Sequence, residues 1–185
     1  MVRRIGGIDY SLTCPAVCIY TGEEKDFEFA NCKVFFLATQ KKYEDFKYKN
    51  LEGSLQIKKY SIAEERYDFI SDWAMDILIS NEIENVALED YSYGSQGKVF
   101  HIAENTGLLK WKMWQSEIEY KLLPPTVIKK FATGKGNANK EKMYESFLQE
   151  TSRNLQEELV IRSEKIGNPT SDIVDSYYIC KMALL

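Results

Sequence analysis

The chain has 185 residues, of which 44% are hydrophobic, 28% charged and 13% aromatic, with a formal net charge of -4. That length suits one compact domain over residues 1–185, and the composition is that of a soluble globular chain. No apolar run reaches membrane-spanning length, no h-region opens the chain, and the 4 cysteines form no CxxC pair and have 1 histidine for company, so a membrane span, secretion and a zinc site are set aside in favour of a cytoplasmic protein with reduced thiols.

Three strands are expected first, over 2–9, 15–21 and 30–38, as an antiparallel meander with turns at Ser11–Thr13 and Gly22–Glu24. The first strand ends on Asp9, and a carboxylate at the inner end of a core strand needs a neutralising partner or a polar turn to cap. Residues 40–55 are polar and lysine-rich and read as a surface loop, with a short strand near 55–60. A helix is expected over 62–80, capped by Ser61 with Glu64 and carrying Phe69, Ile70, Trp73, Ala74, Ile77 and Leu78 at helical spacing. The strand 85–89 follows and again ends on an acid, Glu89. Strand, helix and strand in that order form a crossover to a parallel neighbour of the first strand, which brings Asp9 and Glu89 to one sheet edge.

Tyr91–Gly97 is a Gly/Ser loop, followed by a helix over about 98–117 and a strand over 118–123 that Pro124 and Pro125 stop. Thr126 starts a helical turn, and the glycine-bearing loop 133–138 opens a helix from Asn139 to about Glu150. Residues 151–166 are polar with a weak helical pattern, and Asn168–Ser171 reads as a cap for a last helix from Ser171 to Leu184. Asp172 and Asp175 share one face of its first turn, where the helix dipole favours acids, so simple capping explains them as well as a binding role does.

Two strand-end acids and a helix pair together make a stronger case. Four carboxylates in one place repel one another unless cations intervene. An all-oxygen set without a His or Cys cluster suits Mg²⁺ or Mn²⁺, and two such ions about 4 Å apart serve phosphodiester hydrolysis. Net charge argues against nucleic acid, but the lysines gather in 121–142, with Lys129, Lys130, Lys135 and Lys140, while acids gather in 23–28 and 145–158. The basic segment can hold a DNA backbone or be a solvated surface.

At this point the chain resembles the RuvC-type Holliday junction resolvases. Ile8-Asp9 with Ser11-Leu12-Thr13 is similar to the family's first motif, particularly in its phage-borne members. Val86-Ala87-Leu88-Glu89 is similar to the second. Ile128-Lys129 through Gly134, Gly136, Ala138 and Lys140-Glu141 matches the family's glycine-lysine block, and Asn168-Pro169 with Asp172 and Asp175 matches its closing motif. The resemblance implies an α/β RNase H-like fold with a central mixed five-stranded sheet, three antiparallel strands then parallel ones, flanked by helices. It implies that Asp9, Glu89, Asp172 and Asp175 are the metal ligands for two ions per site, and that Lys129 and Lys140 lie near the scissile phosphate, Lys140 with a catalytic part. It also implies a homodimer that nicks two opposed strands of a four-way junction, with the 98–117 helix at the dimer contact and no small-molecule cofactor.

Tyr10 and Ser11 stand where the family often has a small residue and glycine. Ser92 stands where the cellular bacterial enzymes place a junction-probing Phe. Tyr91 and Tyr93 flank it, each able to stack on an unpaired base or to pack on its own domain. The segment 143–167 is longer than the bacterial pattern, and His101 reads as a surface or interface residue. The leading expectation is a junction-resolving endodeoxyribonuclease, in the host cytoplasm for a phage-encoded chain. The alternatives are a nuclease of the same fold acting on other branched or flap DNA or on RNA, and a non-catalytic junction-binding protein.

Overall fold

The computed structural model describes residues 1–56, 59–91 and 99–185. The chain opens as the apolar runs dictate. Strand β1 (Arg3–Asp9) pairs antiparallel with β2 (Ala16–Gly22), and β2 pairs antiparallel with β3 (Lys33–Ala38). The third strand starts later than 30 because residues 24–26 and 29–31 are short 3-10 turns. Helix α1 (Ala63–Ser80) then crosses over to β6 (Asn85–Glu89), which lies parallel to β1. Helix α2 (Val99–Gln115) leads to β7 (Glu119–Leu123), parallel to β6.

The sheet has seven strands rather than the expected five, in the order β4-β5-β3-β2-β1-β6-β7. The two extra strands, β4 (Phe46–Tyr48) and β5 (Leu51–Leu55), lie in the lysine-rich stretch read as a loop. They form a tight hairpin at the sheet edge, where one face meets water and lysines are tolerated. Lys49 takes the left-handed turn conformation (φ 53°) and Lys47 pairs with Glu52 across the hairpin at 3.2 Å. Leu51 and Gly53 are buried and Phe46 packs against Phe36 and Tyr43, but lysines and other polar residues separate these positions, so the apolar signal is too sparse to read as strand. Residues 57 and 58 of the expected 55–60 strand lie outside the described residues.

Helix starts also differ. The Ser61 amide donates to Glu65, not Glu64, at 2.7 Å, and Ile62 rather than Ser61 sits at the cap position. What reads as a single turn at Thr126 is the full helix α3 (Pro125–Thr133), with proline at its first position and Gly134 (φ 78°) closing it. Helix α4 (Lys140–Thr151) is capped by the Asn139 side chain, which accepts from the Lys142 amide at 2.9 Å. The last helix, α6 (Thr170–Ala183), starts one residue early and has no side-chain cap. The Thr170 hydroxyl instead donates to Gln156 at 2.8 Å.

The sheet is covered on both sides. Ile8, Val17, Ile19 and Leu88 pack against α1 and α2, while Ile5, Ala16, Cys18 and Ala87 pack against α6 and the 143–167 segment. That segment is a buttress. Tyr144 and Phe147 of α4 stack behind Tyr177, and Leu155 and Leu159, in and just after the short helix α5 (Leu155–Glu158), are fully buried. Glu158 binds Arg153 through two hydrogen bonds (2.6 and 2.7 Å) and Lys49 at 3.0 Å. Among the described residues no helix is long and apolar enough to cross a membrane.

One contact fixes how α6 lies on the sheet. A Cβ at Gly7 would sit 2.1 Å from the Cys180 backbone nitrogen and 2.5 Å from its Cα, so helix and strand touch backbone to backbone. Gly7→Ala therefore costs about 3 kcal/mol of unfolding free energy by overpacking, and Cys180→Ala does not rescue it, because the obstacle is main chain. Gly6→Ala, whose nearest neighbour is the flexible tip of Leu78 at 3.3 Å, costs less. Urea denaturation of the three variants checks the ranking; equal costs at positions 6 and 7 refute the close-packing account.

Candidate active site

Parallel pairing of Ile8 with Leu88 puts the next residues, Asp9 and Glu89, side by side at the same strand ends. Side chains alternate along a strand, so Asp9 shares the face of Ile5 and Gly7, and Glu89 that of Ala87. This is the face that α6 covers. Asp172 and Asp175, three residues apart in the first half of α6, lie over the same strand ends, the region where the helix dipole favours negative charge.

The electrostatics register this convergence. Burial first, then Asp172, Glu89 and Asp175, hold the Asp9 carboxyl well above the usual carboxylate range. Burial and Asp175 push Glu89 up to about 7, against a lowering pull from Lys129. Asp172 is raised to about 7 and Asp175 to about 6, burial being the leading cause for both and Lys140 the main opposing charge. Asp9 and Asp172 are 9% and 5% exposed, which makes their charge costly without a counter-ion. Among the described residues, the side chains as placed do not close into a group of three or more His, Cys, Asp or Glu that could hold an ion. The donor chemistry nevertheless suits a hard divalent cation: four buried carboxylates, all raised in pKa, with no His or Cys among them.

Two of the four expected DNA-binding lysines reach the acids. A cleft of about 130 Å³ is lined by Glu89, Lys129, Lys140, Ser171 and Asp175, among others. Lys140 Nζ donates to Ser171 Oγ at 3.1 Å and to Asn168 Oδ1 at 3.4 Å, which fixes it beside the start of α6. Lys130 and Lys135 are exposed and make no hydrogen bond or ion pair through their side chains with any described residue. Tyr91 is half-buried and lines a second, larger cleft beginning at Asp9 and Glu89. Tyr93 and Ser92 lie outside the described residues.

Sequence reasoning missed four participants. Ser171 and Asn168, read as caps, position Lys140, and the Ser171 hydroxyl also donates to Asp172 at 3.3 Å. Cys14 lies close enough to Asp172 and Asp9 for their charges to raise its thiol, and it donates to the Leu37 carbonyl at 2.7 Å. Arg66 lines the larger cleft. Only Asn168 and Ser171 carried a signal, their adjacency to the acid pair.

Fold and site geometry place the chain in one structural class, the α/β fold of the RuvC resolvases, an RNase H-like architecture. It is similar to the structure of Thermus thermophilus RuvC (TM-score 0.57, 17% identity, 97% of this chain and 92% of the other). It is also similar to T. thermophilus RuvC in complex with Holliday junction substrate (TM-score 0.62, 13% identity, 98% and 97%). A third similar structure is the yeast mitochondrial Holliday junction resolvase Ydc2 (TM-score 0.59, 14% identity, 98% and 78%). No protein-family model matches the sequence, and no curated protein matches it.

The raised carboxyls make stability depend on pH with a defined sign. A group whose folded-state pKa lies above its unfolded value stabilises the fold below the unfolded value, and that contribution is lost as pH rises through the folded value. With unfolded values near 4 and Glu89, Asp172 and Asp175 at about 7, 7 and 6, the loss spans roughly pH 4 to 7. In EDTA the melting temperature of the wild type therefore falls across this window relative to Asp175→Asn, which at pH 7.5 melts at least about 3 °C higher than wild type. Calorimetry from pH 4.5 to 8 checks it; identical pH profiles for the two proteins refute the buried-acid account.

Proposed function

We propose that this protein is a structure-selective endodeoxyribonuclease that resolves four-way DNA junctions by paired symmetric nicks, through two-metal-ion phosphodiester hydrolysis. The observation that carries the reading is the placement of Asp9, Glu89, Asp172 and Asp175 at one sheet edge, on the fold of RuvC, with Lys129 and Lys140 beside them. In this reading the four carboxylates hold two Mg²⁺ or Mn²⁺ ions. When bound, such ions supply an activated water and stabilise the leaving oxygen.

The chain's own residues do the rest. Lys140, fixed by Ser171 and Asn168, presents an ammonium that offsets charge on the phosphoryl oxygens. Lys129 does the same from α3, and the two ammonium charges oppose the raised pKa values of Glu89 and Asp175. Lys130 and Lys135, exposed on the same basic segment, contact the backbone farther from the cut and contribute salt-dependent affinity.

The branched partner is supported by the likeness to T. thermophilus RuvC in complex with Holliday junction substrate. Dimerisation is supported by α2. Phe100, Gly107, Trp111 and Trp114 follow one another at spacings of seven, four and three, which puts them on one helix face. Phe100, Trp111 and Trp114 are 81%, 52% and 71% exposed, and a Cβ on Gly107 would meet open space. An exposed aromatic stripe around a glycine suits close approach of a second copy of the same helix.

Two measurements test this. A synthetic mobile four-way junction is cleaved symmetrically in Mg²⁺ or Mn²⁺, and Asp172→Asn lowers the rate at least about 10³-fold while still binding the junction. Preferred cleavage of flap DNA or an RNA–DNA hybrid moves the function to another nuclease of this fold, and tight binding without metal-dependent cleavage leaves a junction-binding protein. In sedimentation, the wild type runs as a dimer and Trp111→Glu/Trp114→Glu as a monomer that nicks junction strands singly. A wild-type monomer that still makes paired nicks refutes the α2 interface.

A further inference from the structure

The turn between β1 and β2, residues 10–15, carries the chain away from Asp9. Among the described residues, no main-chain hydrogen bond joins one residue of this turn to another. Parallel pairing with β6 ends one residue before the acid, at Ile8 with Leu88. On the other side Asp9 pairs with Ala16, which is itself the far end of the same turn. The path of the chain just after Asp9 therefore depends on side chains that reach it from elsewhere.

Two of these converge on one atom. The Leu12 carbonyl accepts from the Arg66 guanidinium at 2.5 Å and from Gln56 Nε2 at 3.0 Å, and Arg66 also donates to Gln56 Oε1 at 3.1 Å. The three groups close a ring in which both lone pairs of the carbonyl are used. Arg66 stands in the first turn of α1, with its guanidinium 5.9 Å from the centre of the Tyr60 ring. Gln56 is 1% exposed and follows β5 directly, its amide donating to the Ala38 carbonyl at 2.8 Å. The β4–β5 hairpin, two strands beyond the five expected, thus delivers a buried amide to a point three residues past Asp9. Further hydrogen bonds lie toward the β2 end: the Cys14 amide donates to Ser11 Oγ at 3.0 Å and the Cys14 thiol to the Leu37 carbonyl at 2.7 Å. The charges that act on the Asp9 carboxyl are those of Asp172, Glu89, Asp175 and Lys140, so Arg66 works through the main chain.

We propose that Arg66 and Gln56 are positioning residues: clamped on the Leu12 carbonyl, they hold the turn so that the Asp9 carboxyl stands in place to ligate a divalent cation, a role that rests on the nuclease reading above. A bond from a charged donor is about twice as strong as a neutral one, so Arg66 is the stronger half of the clamp. Loss of either partner frees the strand end and weakens the cation site without altering its donor set.

The test measures Mn²⁺ binding by calorimetry, without DNA, alongside junction affinity in EDTA and cleavage. Arg66→Met and Gln56→Met keep the bulk of each side chain and remove its hydrogen bonds to the carbonyl. Each weakens Mn²⁺ binding about tenfold, as expected for a residue that orients a ligand, and leaves junction affinity in EDTA unchanged. Arg66→Lys, whose ammonium still donates to the carbonyl, stays within about threefold of wild type. Lys112→Met removes the ion pairs between α2 and Asp68 and Asp72 of α1. It lowers the melting temperature but leaves Mn²⁺ binding unchanged, which separates positioning from general loss of stability. Unchanged Mn²⁺ affinity in Arg66→Met and Gln56→Met, or an equal loss in Lys112→Met, overturns the clamp. Weaker junction binding in EDTA by Arg66→Met, with Mn²⁺ affinity intact, makes Arg66 a DNA contact and overturns it too. A wild type that binds Mn²⁺ but cleaves no junction overturns the nuclease reading, and the binding comparison still decides the clamp. A wild type that binds no Mn²⁺ overturns both.

Discussion

The site depends on one contact, the main-chain approach of α6 to β1 at Gly7. A helix laid on a sheet normally stands off by the thickness of two side-chain layers. Here the strand contributes no side chain at the crossing, and the Cys180 backbone lies where a Cβ would be. Close approach brings the start of the helix down onto the strand ends, so that Asp172 and Asp175 reach the level of Asp9 and Glu89. Ile173, Val174, Tyr177 and Ile179 fill the space on either side of the crossing and are essentially buried. The carboxylate cluster is therefore a consequence of packing at a position that carries no chemistry of its own.

That packing sets up an electrostatic tension. Each acid is raised chiefly by burial, and Asp9, Glu89 and Asp172 further by their acidic neighbours; Ser171 donates to Asp172, while Lys140 and Lys129 act through charge. Relief comes from elements that are distant in the chain. Lys129 arrives on α3 and Lys140 at the start of α4, after the loop that Gly134 opens. The buttress formed by α4, α5 and the aromatic stack of Phe29, Phe147 and Tyr177 holds Lys140 in register with α6. The long segment 143–167 thus supports the position of one ammonium group relative to four carboxylates.

The opposite face of the sheet has a different task. Helices α1 and α2 cover it, tied together by Lys112, whose ammonium bridges Asp68 (2.7 Å) and Asp72 (2.6 Å). Their beginnings form the larger cleft, and the outer side of α2 carries the exposed aromatic stripe. One pair of helices thereby supplies both a wall next to the strand ends and a surface suited to a second copy.

The sequence by itself determined the local elements and the order of the acids. Short, continuous apolar runs ending in Asp9 and Glu89, a helix between them, and an acid pair three residues apart were legible because each signal is confined to a short window. The parallel pairing that aligns the two strand ends followed from the strand–helix–strand order, which makes a crossover. Tertiary structure decided the rest. The β4–β5 hairpin was hidden because an edge strand with one wet face has almost no apolar signature. Ser171 and Asn168 looked like helix caps because their partner, Lys140, lies about thirty residues away and is brought in only by the buttress. Tyr67 and His101 meet only because α1 and α2 pack side by side over the sheet. Local periodicity encodes which face a residue occupies, whereas the distance between two faces is set by what packs between them, and here that is the missing side chain of Gly7.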